Sequence, residues 1–70
     1  MKILEKKPCI VEGSCLLLVA DSSRRRYNVM KAPCDIDIDP DKLDWSKTIP
    51  YYGIMVGEEE ARKLMEYLTK

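Results

Sequence analysis

Seventy residues, 46% hydrophobic and 34% charged, make one small domain over residues 1–70, too apolar for disorder and too short for more than a thin core. Twelve basic and twelve acidic residues cancel, which argues against attachment to nucleic acid or membrane through a large positive field. Histidine is absent, there is no glycine-rich phosphate loop, and no Ser or Cys has an identifiable base nearby in sequence, so the chain reads as non-catalytic and without a cofactor.

In chain order, residues 2–5 and 9–11 read as short strand material, with Pro8 forcing an edge or a bulge between them. Glu12-Gly13 has the chemistry of a tight turn. Residues 14–20, Ser-Cys-Leu-Leu-Leu-Val-Ala, are apolar without alternation, the signature of a strand buried on both sides. Asp21-Ser22-Ser23-Arg24 supplies a turn through short polar side chains, and residues 25–32 return as the partner strand. A symmetric turn pairs Leu16 with Val29, Leu18 with Tyr27 and Ala20 with Arg25. On the opposite face Cys15 meets Met30, Leu17 meets Asn28 and Val19 meets Arg26.

Residues 35–39 alternate strictly, Ile36 and Ile38 against Asp35, Asp37 and Asp39, and predict a short half-buried edge strand. Asp39-Pro40 looks like an N-cap followed by proline at the first helical position, with one turn of helix to follow. Residues 45–50 are loop and 51–56 the final strand. Residues 57–70 then form an amphipathic helix, with Ala61, Leu64, Met65 and Leu68 on one stripe. Glu58, Glu59 and Glu60 suit its positive end and Lys70 the other. The i,i+4 pairs Glu58–Arg62, Glu59–Lys63 and Glu66–Lys70 add only about 0.2–0.5 kcal/mol each. Leu64→Ala or Leu68→Ala is therefore predicted to cost about 2–5 kcal/mol through lost packing. The expected architecture is α+β: a small antiparallel sheet of about four strands with one C-terminal helix packed on one face.

One helix shields Leu16, Leu18, Tyr27 and Val29. Cys15, Leu17, Val19 and Met30 then have no cover within the chain, which predicts a homo-oligomer or a protein partner on that face. Charge asymmetry points the same way: residues 1–34 carry seven basic and three acidic side chains, residues 35–70 five and nine.

Three further features carry alternative readings. The three cysteines lack the spacing of a zinc knuckle and read as small buried hydrophobes, with Cys9 and Cys15 on opposite faces. Asp35, Asp37 and Asp39 resemble the start of a calcium loop but lack its glycine and glutamate. They read as a charged, protected edge or as an acidic ridge for a basic partner. Arg24, Arg25, Arg26 and Tyr27, extended by Tyr51 and Tyr52, have the equipment to grip a phosphate backbone and stack a base, against the plainer reading of an exposed turn.

The longest apolar run, residues 15–20, is far too short for a signal peptide or a membrane span, and the odd cysteine count points to a reducing cytoplasm. The expected function is that of a small non-catalytic regulator, inhibitor or ligand-sequestering module acting as a homo-oligomer. Single-stranded nucleic-acid binding through the arginine turn is the alternative, and a small ligand at a dimer interface a third.

Overall fold

The computed structural model describes residues 1–23 and 25–70. Strands β1 (Lys2–Pro8), β2 (Ser14–Ala20), β3 (Tyr27–Pro33) and β4 (Ile49–Pro50) form one antiparallel sheet in the order β1-β2-β3-β4, and helix α1 (Glu58–Leu68) follows. The α+β architecture is as expected, with α1 against β2 and β3. The first strand is continuous through the lysines and lies at the edge of the sheet, as Pro8 predicts, while its bulge falls between Ile3 and Glu5. The β1–β2 turn closes with the Ser14 amide donating to the Val11 carbonyl, and Gly13 takes the φ of +80° that favours glycine there.

The β2–β3 register differs from the symmetric prediction by two residues: Ala20 pairs with Tyr27, Leu18 with Val29 and Leu16 with Lys31. The connection is longer than the turn residues suggested. The Asp21 amide donates to the Arg26 carbonyl, and Asp21 Oδ1 accepts from the Ser23 hydroxyl at 2.8 Å and the Arg25 amide at 3.3 Å. A slip of two leaves every side chain on its predicted face. Leu16, Leu18, Ala20, Tyr27 and Val29 accordingly meet Ala61 and Met65 of α1, with Cys9 at the margin and Leu64 and Leu68 partly buried.

Two predicted strands are absent. Residues 35–39 are turn and irregular chain, and residues 51–56 form no strand, meeting β3 through the Tyr51 amide on the Val29 carbonyl, the Asn28 side chain on Tyr52, and a bridge between Val56 and Tyr27. The Asp-x-Asp pattern instead builds successive turns: Asp37 Oδ1 accepts the Asp39 amide, Asp39 Oδ1 accepts the Asp41 amide, and Asp44 Oδ1 accepts the Ser46 amide, capping a single 3₁₀ turn, Trp45–Lys47. Side-chain capping of the backbone competes with ladder bonds and wins here. The predicted turn at Pro40 is present, with the Lys42 and Leu43 amides both donating to the Asp39 carbonyl.

That bending lays the segment across the second face of the sheet. Leu43 is buried there with Leu17, Val19 and Ala32, while Ile36, Trp45, Met30 and Ile3 pack around them. The expectation that Cys15, Leu17, Val19 and Met30 lack cover is therefore overturned: Leu17 and Val19 are wholly buried within the chain, and Met30 is half-buried. Cys15 is disulfide-bonded to Cys34, across 19 positions, so the odd count is one pair plus the buried Cys9 thiol.

The helix ends sooner than predicted. Thr69 is extended, its hydroxyl donates to the Met65 carbonyl, and the chain turns to β1, with Lys70 N–H donating to Pro8 and Ile10 N–H to Leu68. Lys70 is thus outside the last helical turn, and no ion pair joins it to Glu66 among the described residues. Glu58–Arg62 and Glu59–Lys63 do form, at 2.9 and 3.6 Å, and Arg62 also reaches Glu5 on β1 at 3.5 Å.

Burial along the stripe sets the expected mutational order. Met65 is 3% exposed whereas Leu64 and Leu68 are only partly buried. Met65→Ala is expected to cost about 2–5 kcal/mol and Leu64→Ala about 1–2 kcal/mol. Urea denaturation of the two variants checks the order; equal losses would contradict this seating of the helix.

Candidate functional site

With both sheet faces covered, one accessible concavity that combines charge with apolar surface lies at the end of the sheet where the β1–β2 turn approaches β4. A cavity of about 240 Å³ opens there, lined by Gly13, Ser14, Lys31, Ala32, Pro33, Lys47 and Ile49. Lys31 comes from the inner part of β3 and is half-buried, while Lys47 comes from the last residue of the 3₁₀ turn. Neither is within salt-bridge distance of a carboxylate among the described residues. Two ammonium groups on an apolar floor of Ala32, Pro33 and Ile49 suit an anionic group attached to an apolar body.

The cavity's lining residue Ile49 is 59% exposed, and the chain that follows exposes two further apolar side chains, Tyr51 at 39% and Ile54 at 76%. Asn28 positions this run. It is buried at 4% exposure, its Oδ1 accepts the amides of Val29 at 2.8 Å and Tyr52 at 3.3 Å, and its Nδ2 donates to the Tyr52 carbonyl at 3.2 Å. One amide side chain thus stands in for ladder bonds that the missing strand would have made. Pro50 brings no donor to the short edge strand, which guards it against further strand pairing.

The remaining predicted site residues are scattered. Tyr27 is 6% exposed in the core beneath α1, so it offers no stacking face; the two-residue register shift set it opposite Ala20. Arg25 and Arg26 are exposed, and Arg24 lies outside the described residues. Tyr52 is half-buried and donates its hydroxyl to the Glu60 carbonyl at 3.3 Å. Asp35, Asp37 and Asp39 are exposed on the covering segment, two of them occupied in backbone turns. Cys9 and Cys15 lie on opposite faces as predicted, which prevents them from sharing a metal.

Sequence reasoning missed Lys31, Lys47 and Asn28. Asn28 carried a usable signal, a polar residue inside an apolar strand; the lysines did not, because their approach depends on how residues 34–48 fold.

Partial burial, and then the neighbouring Cys9 thiol, push the Tyr51 phenol above its ordinary value of 10.0. For Tyr52 the causes are burial and then the Glu60 carboxylate. A pKa raised by folding contributes stability that is present below the unfolded value and lost as pH rises through the folded one. Stability is therefore expected to fall above pH about 10, and Tyr51→Phe with Tyr52→Phe to flatten that fall; unfolding curves taken across alkaline pH check it. Asn28→Leu leaves the Val29 and Tyr52 amides and the Tyr52 carbonyl without their partner. It is expected to cost about 2–3 kcal/mol and to speed hydrogen exchange at Tyr52 ahead of β2, read by NMR.

No helix among the described residues is long and apolar enough to cross a membrane. Compared with known protein families, with curated proteins and with solved structures, the chain matches none.

Proposed function

We propose that the protein is a small non-catalytic interaction module that holds an acidic segment of a protein partner in the Lys31/Lys47 cleft, with the segment's apolar side chains against Ile49 and Tyr51. The observation that carries this reading is a pair of lysines, neither in a salt bridge among the described residues although Lys47 lies in the field of the Asp44 carboxylate, opening onto exposed apolar surface in a chain whose two sheet faces are covered. The Ser14 hydroxyl makes no hydrogen bond to either lysine among the described residues, so the cleft has no nucleophile poised on a base, which favours binding over catalysis.

Self-association enters this reading by a new route. The apolar face once expected to join two copies is occupied, but the segment bearing Asp35, Asp37, Asp39 and Asp41 has the charge the cleft requires, and a second copy would supply it. The nucleic-acid alternative loses Tyr27 as a stacking ring, because that side chain is buried, and keeps only Tyr51 exposed for the purpose.

A displayed random-peptide library selected on the immobilised protein tests the proposal. Enriched peptides are expected to place Asp, Glu or a free carboxylate beside Leu or Ile, and to lose at least tenfold in affinity against the Lys31→Glu/Lys47→Glu variant. Enrichment that survives this double substitution, or no enrichment, overturns it. A synthetic peptide of residues 33–44, used as the probe in the same assay, reports whether a second copy is the partner.

A further inference from the structure

We propose that the Cys15–Cys34 bond is a thiol-operated latch: a dithiol opens it, and residues 35–48 leave the second face of the sheet while the helix side stays folded. The division is present in the packing. The cores on the two sides of the sheet share no residue, and only Leu43 of the covering segment is fully buried. The segment's backbone hydrogen bonds close turns within residues 33–48, and the one contact from β1 or β2 to that backbone among the described residues is the Lys6 ammonium on the Cys34 carbonyl, beside the disulfide itself. Trp45 likewise donates its indole N–H to the Pro40 carbonyl, inside the same segment. The disulfide is its one covalent tie to β2.

The bond is also placed for attack from one side. Cys34 lies on the exposed turn after β3, whereas Cys15 is 7% exposed on β2, so an external thiolate meets the Cys34 sulfur first. Lys6 donates its ammonium to the Cys34 carbonyl, bringing a cation to the turn on which a thiolate forms. Cys9 is buried on the opposite face, out of reach for reshuffling.

In the step itself, one thiolate of the dithiol attacks Cys34 Sγ, forming a mixed disulfide and releasing Cys15 as a thiolate, which takes up a proton. The second thiol of the reductant displaces Cys34, which is protonated in turn, and closes the reductant's own disulfide. Two electrons pass from dithiol to protein. A bond that cycles in this way fits a reducing compartment such as the cytoplasm, where a permanent disulfide does not. The latch does not depend on what the lysine cleft binds. Lys47 is carried at the end of the released segment, however, so opening would also loosen one wall of the cleft.

Hydrogen exchange of the full chain, oxidised and after reduction by a dithiol, tests the proposal. Alkylation and mass measurement report the number of thiols freed. Reduction is expected to free two thiols, speed exchange across residues 36–48 about a hundredfold, and shift Trp45 emission to the red. Protection of α1 should hold, and reoxidation should restore the rest. The Cys15→Ala/Cys34→Ala variant should match the reduced protein and ignore the dithiol. Unchanged protection of residues 36–48 after reduction would overturn the latch, as would parallel loss of protection in α1, which marks a global staple. Failure of the oxidised bond to form in a thiol–disulfide buffer would overturn it too.

Discussion

Residues 16–20 of β2 are wholly buried, with side chains alternating to both faces of the sheet, and the rest of the molecule is arranged to meet that condition. A strand of this kind must be covered twice. In a chain of 70 residues only one helix is available, so the second cover has to come from chain without regular structure. Burying irregular backbone carries a penalty, because its polar groups lose water without gaining ladder partners. Asp37, Asp39 and Asp44 answer it locally, as their carboxylates accept the amides two positions on. The run that looks like an interaction ridge is first of all a set of turns.

The two covers differ in kind. The helix satisfies its own backbone and adds a continuous apolar stripe, with Arg62 joined to Glu5 at the β1 edge. The loop contributes one fully buried leucine, two partly buried apolar side chains, and a disulfide. Closing a loop of that length contributes about 3 kcal/mol in the chain-entropy account, a large share of the stability of so small a domain. The sheet is thus held by packing on one side and by packing plus a covalent bond on the other.

Covering both faces moves the accessible chemistry to the rim. The lysine cleft exists because β4 is only two residues long and the β1–β2 turn stops beside it. Its apolar neighbours are exposed because residues 51–56 leave the sheet, while the Asn28 side chain keeps them alongside β3.

Local pattern was enough for the elements whose own residues decide them. The helix stripe, the doubly buried strand, the partition of Leu16, Leu18 and Val29 from Leu17 and Val19, and the separation of Cys9 from Cys15 all follow from periods of 3.6 and 2. Those periods say which face a side chain takes, and they survive a register slip of two. They do not say what lies on the face. That residues 34–48 fold over Leu17 and Val19, that Cys34 meets Cys15 and that Lys31 and Lys47 share a cleft were decided by tertiary structure. The physical reason is that an Asp-x-Asp run alternates in the same way whether its carboxylates face water along a strand or cap turns in a loop. Only the demand of a doubly buried strand for a second cover selects between them.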